Sequence, residues 1–365
     1  LRAYNLDAQS VWYDECQSIS RLNEPGLIAF LRAERSQDWY MVPLYFVLQY
    51  AWAHTVGDSA TAIRWLGILF GVASIPLLYA TGRFLFGRAA GLTAALCMAL
   101  SPAHLFLAQE IRPYALMNLL VLVSAGAFLQ ALRKGGRRWW MLHLGANFLL
   151  IWTHLFGAFF IMAQGAYLLA RRNGKRKAAA WAAAHVLLLL PTVFWVLSVN
   201  RSFAGKEEAP AAWRIVGNAF GDCMPRNSPA YMPEDRPWEN APPAWTRPLR
   251  AAFPWFDHAL FLFFTTSLLW FLGKQILRHK RSDGAFLLYW LFLPCLCLFF
   301  VARLWRPDAF AARYTSYCPL ALYLIVGAFL AGLPRRTWRV AAIALLVVLY
   351  GHRLTLALAS PQRTD

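Results

Sequence analysis

Long apolar runs recur along nearly the whole chain, separated by short polar or basic connectors. Most of these runs approach the ~20 residues that an α-helix needs to cross the roughly 30 Å hydrocarbon layer of a bilayer. The pattern predicts ten membrane passages, at 61–82, 89–107, 114–132, 139–153, 155–170, 179–199, 256–275, 285–304, 313–333 and 340–358. The sequence therefore predicts an all-α polytopic membrane protein.

Three stretches depart from this simple pattern. The runs at 139–153 and 155–170 are short for full spans, so we interpret them as a hairpin of tilted or partial helices with its tip near His154. The apolar run at 43–56 is too short to span and predicts an interfacial helix. Residues 200–255 are rich in Pro and Trp, which predicts a long surface loop, either a lid or substrate guide or an excursion without function.

These features divide the chain into four segments. They are a first extracytoplasmic loop with juxtamembrane helices at 1–60, N-terminal transmembrane helices at 61–199, the Pro/Trp-rich extracytoplasmic loop at 200–255, and C-terminal transmembrane helices at 256–365. The chain opens with Leu1 in a predicted outside loop, so we expect a first helix with a cytoplasmic start to precede it.

The composition supports a membrane class, since 59% of the residues are hydrophobic and only 15% are charged. The net charge of +18 could suggest a nucleic-acid partner, but the basic residues cluster in alternate connectors, which contain a single acid, Asp283. These clusters are Arg83 and Arg88; Arg133, Lys134, Arg137 and Arg138; Arg171, Arg172, Lys175, Arg176 and Lys177; Lys274, Arg278, Lys280 and Arg281; and Arg335, Arg336 and Arg339. The positive-inside rule makes these connectors cytoplasmic, so we expect membrane lipids and no nucleic acid as partners.

The opposite connectors then lie outside and hold the residues best suited to chemistry. Asp14 and Glu15 are adjacent carboxylates in an aromatic setting, and one of them could act as a general base, although a solvated loop pair is an alternative. Glu110, Arg112 and Tyr114 lie in one short connector. The Glu–Arg pair could join helix ends, or Arg112 could hold phosphate oxygens.

Two further outside sites complete the set. His154 lies at the tip of the predicted hairpin, where it is either an interfacial polar residue or part of a site. A basic cluster of Arg303, Arg306 and Arg313, followed by Tyr314, lies on the side where the positive-inside rule gives no general reason for one. A lipid phosphate is the nearest anion for these cations, and simple headgroup anchoring is the alternative.

The order of several short motifs resembles one known group of enzymes. Trp12-Tyr13-Asp14-Glu15 is similar to a "W-x-D-E" motif in a first loop, and Pro43-Leu44-Tyr45-Phe46 to a "P-L-Y-Y" segment. Further matches are Arg64 in "AIRWLGILFG", "SPAHLFLAQEIRPYAL", "THLFG" and "ARYTSYCPLALYLIVGA". Together they resemble the GT-C superfamily of polyprenyl-phosphate-sugar-dependent transferases, in the branch of bacterial protein O-mannosyltransferases and the lipid A aminoarabinose transferase.

This resemblance implies a role for each candidate residue. Asp14 is expected to be the catalytic base with Glu15 beside it, while Glu110 and Arg112 line the donor site. His154 and Arg313 are expected to contact the carrier phosphate or the sugar. Tyr114, Tyr314 and Arg64 complete the expected substrate-binding set. The sequence departs from the pattern at Met41-Val42, where many relatives have His-Pro, so sugar contacts from that stretch are not carried over.

The predicted activity is transfer of a sugar from a polyprenyl-phosphate carrier to a hydroxyl acceptor, which could be a lipid, a glycan or a protein. An inverting displacement requires a base for the acceptor and cations for the departing phosphate. A lipid or sugar transporter or flippase is the alternative, but transporters commonly place charges near the midplane on paired halves. We expect a bacterial inner-membrane location with a periplasmic site. We expect no cofactor and no metal requirement, although some GT-C relatives use a divalent ion.

Overall fold

The computed structural model describes residues 1–4, 6, 11–35, 42–171, 174–197, 255–277, 283–304 and 312–358. Three short outer helices come first: α1 (Tyr13–Ser20), α2 (Leu27–Arg35) and α3 (Pro43–Thr55). The bundle follows with α4 (Ala60–Phe86), α5 (Arg88–Leu100), α6 (Pro102–Gln109), α7 (Tyr114–Lys134), α8 (Arg137–Thr153), α9 (Gly157–Ala170), α10 (Gly174–Leu197), α11 (Phe256–Leu277), α12 (Phe286–Leu304), α13 (Cys318–Ala331) and α14 (Arg336–Leu358). No strand occurs within these ranges, so the all-α prediction is confirmed.

Each predicted passage overlaps one helix or, at 89–107, two helices, but the count of ten spans is not confirmed. Within the described ranges, six helices are long and apolar enough to cross a membrane, and seven if the bent α5–α6 pair counts as one span. Helices α9 and α13 are apolar but have 14 residues each, about 21 Å of helix against a roughly 30 Å hydrocarbon layer. The run at 43–56 forms the short helix α3, as predicted. Nearly all of the predicted loop at 200–255 lies outside the described residues.

The second predicted passage, 89–107, is not a continuous helix. It breaks into α5 and α6 with a bend of 60°. Ser101 caps α6 by accepting a hydrogen bond from the His104 amide, and Pro102 occupies the first helical position, where its missing N–H is tolerated. Hydropathy alone does not register a Ser-Pro break inside an apolar run, so the bend in this passage was not predicted.

The chain's own N-terminal segment binds to this break. The guanidinium of Arg2 is buried and donates to the carbonyl oxygens of His104 at 2.6 Å and Met98 at 3.1 Å. The side-chain amide of Gln109 donates in return to the carbonyl of Arg2 at 2.9 Å. Carbonyls exposed by a broken helix require partners in an apolar interior, and Arg2 supplies them. The outer segment is therefore fixed against the bundle close to the start of α1.

Helices α7 and α13 form the buried centre of the bundle. Helix α4 lies against α5, α6 and α7, and its approach to α6 depends on Gly67. A Cβ atom at Gly67 would lie 2.6 Å from the Ala108 carbonyl oxygen, so a larger residue would push α6 away. This close approach holds the connector after α6 next to the outer end of α4.

Two polar clusters stabilise the rest of the bundle. On the predicted cytoplasmic side, Asp283 accepts from Arg133 at 2.5 Å and from Arg171 at 2.7 Å, joining α7, α9 and the turn before α12. In the interior, Ser124 donates to Asn147 at 2.6 Å, and Asn147 donates to Gln164 at 2.9 Å.

Two histidines extend the interior cluster. Asn147 also donates to Nε2 of His185 at 2.8 Å, and the His143 ring lies 3.2 Å from the Ser124 hydroxyl. Hydrogen bonds between helices stabilise packing in a membrane, so this network joins α7, α8, α9 and α10. This network was not predicted from the sequence, because its members are single polar residues scattered over four apolar runs.

Candidate active site

Glu15 joins three parts of the chain at the end of the bundle that the sequence predicts to be extracytoplasmic. The residue lies in the first turn of α1, where the helix dipole favours an acid. Its carboxylate lies 3.1 Å from Nη2 of Arg64 and accepts a hydrogen bond from the Ile111 amide at 2.8 Å. Arg64 also donates to the carbonyl of Leu6 at 2.9 Å. Both charged side chains are almost completely buried, so this ion pair fixes α1 against α4 and the α6–α7 connector.

Asp14 occupies the neighbouring position but faces a different set of groups. Its Oδ2 atom lies 3.6 Å from Nη2 of Arg112 and 3.5 Å from Nη2 of Arg313. The side chain of Asp14 is 27% exposed, whereas that of Glu15 is fully buried. The structure therefore separates the two adjacent carboxylates: Glu15 is held inside the protein, and Asp14 lies at an accessible surface between two guanidinium groups.

Aromatic rings position Arg313. Its guanidinium carbon lies 4.7 Å from the centroid of the Trp12 ring and 5.9 Å from that of Tyr114. Such cation–π contacts orient a guanidinium without consuming its hydrogen-bond donors. Arg313 lies in the short 3₁₀ turn Ala312–Thr315 before α13, and its side chain is 26% exposed. The group can therefore bind an anion that approaches from the outer face.

His154 lies beneath this cluster, at the end of α8. Its ring packs 5.7 Å from the Tyr114 ring and 5.2 Å from the Tyr314 ring, measured between centroids. Burial, together with the positive charges of Arg112 and Arg313, lowers the pKa of His154 to about 3. Its Nδ1 atom accepts a hydrogen bond from the Phe156 amide at 3.3 Å. The ring is therefore neutral at ordinary pH and carries its proton on Nε2.

Glu110 and Tyr45 complete the buried side of the site. The Glu110 side chain is fully buried, two residues before Arg112 in the connector between α6 and α7. Burial raises the pKa of the Tyr45 hydroxyl, and Glu15 and Glu110 are close enough to raise it further, while Arg112 opposes them. The Tyr45 hydroxyl therefore keeps its proton at ordinary pH. The sequence analysis placed Tyr45 in a motif but not in the site.

The residues predicted from sequence are thus brought together from all parts of the chain. Contacts and electrostatic interactions connect the whole predicted set, namely Asp14, Glu15, Arg64, Glu110, Arg112, Tyr114, His154, Arg313 and Tyr314. Arg306 of the predicted basic cluster lies outside the described residues. Trp12 and Phe156 were missed as site residues, since an aromatic residue in an aromatic-rich chain gives little signal of its own.

The all-α bundle, with short helices before it and with carboxylates and arginines at one end, agrees with the GT-C-type fold expected from the sequence. The comparisons with known proteins agree. Residues 41–197 match the family model described as dolichyl-phosphate-mannose-protein mannosyltransferase. No curated protein matches the chain.

Two solved proteins share this fold. ArnT from Cupriavidus metallidurans, bound to undecaprenyl phosphate, superposes with a TM-score of 0.60 and 16% identity over 95% of this chain and 60% of ArnT. The Archaeoglobus fulgidus oligosaccharyltransferase, in complex with Zn and sulfate, superposes with a TM-score of 0.55 and 18% identity over 94% of this chain and 48% of that protein. The superpositions confirm the GT-C-type fold expected from the sequence, and the family model matches within the same chain at residues 41–197. The chain spans about three fifths of the length of ArnT.

Proposed function

We propose that the chain transfers a sugar from a polyprenyl-phosphate carrier to a hydroxyl acceptor on the extracytoplasmic face of a bacterial inner membrane. The acceptor oxygen attacks the anomeric carbon, the bond from that carbon to the phosphate oxygen breaks, and the configuration inverts. Asp14 takes the proton of the acceptor hydroxyl, and the carrier leaves as its phosphate. The single observation that carries this proposal is the position of the Asp14 carboxylate between Arg112 and Arg313.

The two guanidinium groups suit a phosphate ligand. Arg presents a planar fork of donors to phosphate oxygens and retains its charge at any ordinary pH. Arg112 is almost fully buried, while Arg313 is partly exposed, so a phosphate can approach from the membrane surface. The polyprenyl class of donor is supported by the relatives: the ArnT structure holds undecaprenyl phosphate, and an Archaeoglobus fulgidus AglB structure holds a dolichol-phosphate.

Donor binding would also free the Asp14 carboxylate from its two arginine partners. The Asp14 contacts, at 3.5 and 3.6 Å, are longer than the 3.1 Å of the buried Glu15–Arg64 pair. A donor phosphate competes for the same guanidinium nitrogens, and the displaced carboxylate becomes able to accept a proton. Contacts that are loose before substrate binds are common in catalytic sites. Glu15 is a positioning residue in this mechanism, because both of its oxygens are engaged by Arg64 and Ile111.

His154 and Tyr114 form the floor of the phosphate site. The Nε2–H group of a neutral imidazole is a donor that does not add a third charge beside Arg112 and Arg313. The departing phosphate gains negative charge as the glycosidic bond breaks, and fixed donors stabilise that charge. The arrangement therefore provides a base on one side of the reacting carbon and an anion site on the other.

An Asp14→Asn variant tests the assignment of the base. We expect turnover of a purified polyprenyl-phosphate sugar donor to fall by roughly 100- to 10,000-fold, the range for loss of a general base. Asp58→Asn is the matched control, because Asp58 is an exposed acid in the turn before α4. Membrane insertion and thermal stability should remain near wild type in both variants. Unchanged turnover in Asp14→Asn would remove Asp14 from the catalytic role.

We also propose that the reaction needs no divalent metal, because Arg112 and Arg313 supply positive charge where the phosphate departs. Among the described residues, no group of three or more His, Cys, Asp or Glu side chains is placed to hold a metal ion. Turnover should therefore persist after exhaustive treatment with chelator. Loss of turnover that returns with a single added cation would contradict this part of the proposal.

A further inference from the structure

A second feature of the bundle lies at its opposite end. A cleft of about 180 Å³ opens between α4, α7 and the start of α8, and we call it the α4–α7 cleft. Its walls are largely apolar and include Leu77, Phe84, Leu122 and Trp139, with the small residues Ala80 and Gly126 leaving space between the helices. An apolar cleft between membrane helices fits an acyl chain rather than a soluble ligand.

The mouth of the cleft is basic. Helix α4 ends at Phe86, α7 ends at Lys134 and α8 begins at Arg137, so all three helix ends meet there. The Lys134 ammonium lies 5.8 Å from the ring centroids of both Phe84 and Trp139, and it donates to the cleft residue Gln130 at 3.2 Å.

Arg138 adds a second cation, since its guanidinium lies 4.9 Å from the Trp139 centroid. Lys134 and Arg138 are both exposed. The basic connectors contain a single acid, Asp283, and its two carboxylate oxygens bind Arg133 and Arg171. The two cations at the cleft therefore face the headgroup region with no carboxylate of these connectors bound to them.

We propose that the α4–α7 cleft binds one anionic phospholipid from the leaflet that the basic connectors face. One acyl chain lies along Leu77 and Leu122, and the phosphate lies against Lys134 and Arg138. Basic clusters beside transmembrane helices attract anionic headgroups, and an adjoining apolar cleft adds selectivity for a lipid over a free anion. Trp139 lies between the two parts, as aromatic residues commonly do at the membrane interface.

The bound lipid would act on the outer site through rigid helices. Helices α4, α7 and α8 meet at the cleft, and their opposite ends carry Arg64, Tyr114 and His154. A phospholipid that bridges the three helices stabilises their packing and hence the geometry of that site. The inference does not depend on glycosyl transfer, because binding of the lipid can be measured on the protein alone.

Native mass spectrometry of the delipidated full chain tests the proposal, with phosphatidylglycerol and phosphatidylcholine as probes. The wild-type chain should retain one phosphatidylglycerol in preference to phosphatidylcholine. The double variant Lys134→Gln/Arg138→Gln should lower this preference by roughly 5-fold per charge removed. The matched control is Arg335→Gln/Arg336→Gln, which removes two exposed charges from another basic connector. Ala80→Leu should fill the cleft and weaken binding of both lipids.

Several outcomes would overturn the proposal. Equal retention of the two lipids by the wild-type chain would show that the cleft does not select an anionic headgroup. An equal loss of the preference for phosphatidylglycerol in both double variants would show that any exposed positive charge attracts this lipid, without a specific site at the cleft. Displacement of phosphatidylglycerol by inorganic phosphate, with no effect of Ala80→Leu, would indicate a phosphate site. Tighter binding of undecaprenyl phosphate than phosphatidylglycerol would indicate a carrier site. If the double variant misfolds, Arg138→Gln alone should still lower the preference, and no change in it would contradict the proposal.

Discussion

Nη2 of Arg313 lies 3.5 Å from Oδ2 of Asp14, although the two residues belong to opposite ends of the chain. Nη2 of Arg112, from the connector between α6 and α7, lies 3.6 Å from the same oxygen. The outer site is therefore an electrostatic arrangement in which one carboxylate and a phosphate ligand would use the same two cations.

Replacing either arginine by lysine should show how much of the phosphate binding depends on positive charge and how much on the planar guanidinium group. Arg313→Lys and Arg112→Lys keep the positive charge but lose the planar fork, and Arg313→Lys also weakens the stack on Trp12. We expect kcat/KM for the lipid-linked donor to fall by roughly 10-fold or more, equivalent to about 1.4 kcal/mol or more. Steady-state kinetics on purified protein check this, with Arg335→Lys as the control on the opposite side. Wild-type kinetics in both variants would exclude bidentate phosphate binding.

Glu15→Gln should lower the stability of the fold, because Glu15 is part of a buried ion pair and is not the proposed base. The change leaves the buried Arg64 guanidinium without its countercharge, and breaking a buried ion pair in this way typically costs about 3–5 kcal/mol. Thermal unfolding in detergent should show a large fall in Tm, whereas Glu24→Gln, at an exposed acid, should not.

The partner of Glu15 provides a further test. Replacing both residues, as Glu15→Gln/Arg64→Met, should recover part of the lost stability, because no unpaired charge then remains buried. A Glu15→Gln protein with wild-type Tm but no turnover would instead make Glu15 a catalytic residue.

His154 should give the protein a pH-dependent stability. Its pKa is about 3 in the folded state, against about 6.5 when the chain is unfolded. Between these values the unfolded state binds the extra proton, so the stability that neutral His154 contributes is full above pH 6.5 and decreases as the pH falls towards 3. His154→Gln removes this titration, and the difference in Tm between variant and wild type should change between pH 4.5 and 7.5. A constant difference would contradict the assignment.

Gly67 should be intolerant of even one methyl group. A Cβ there would lie 2.6 Å from the Ala108 carbonyl oxygen, a backbone atom that cannot rotate away. Gly67→Ala should therefore destabilise the protein by about 1–3 kcal/mol and impair turnover, since α6 leads into Glu110 and Arg112. Gly145→Ala is the matched control, because nothing lies within 4 Å of a Cβ at that position. Equal melting temperatures for the two variants would show that α4 and α6 are not so closely packed.

Most helical segments, and most residues of the candidate outer site, could be predicted from the amino-acid sequence alone. The hydropathy of a span depends on about 20 consecutive residues, and a short motif consists of residues that are close together in the sequence. Both can therefore be recognised without a structure. For the same reason the run at 89–107 was predicted as one helix: its break at Ser101 is fixed by a cap and by the distant Arg2, not by apolar content.

The partners of each polar group could not be predicted from the sequence, because they depend on how the helices pack. Asp14 and Glu15 are neighbours in sequence, yet consecutive residues of a helix point about 100° apart, and packing gives one a buried Arg64 and the other two arginines at a surface. The interior hydrogen bonds of Asn147 and the basic mouth of the α4–α7 cleft likewise depend on which helices become neighbours. Those partners are far away along the chain. Burying a polar group costs free energy unless it forms a hydrogen bond, so the outcome depends on which partner the folded chain brings next to it.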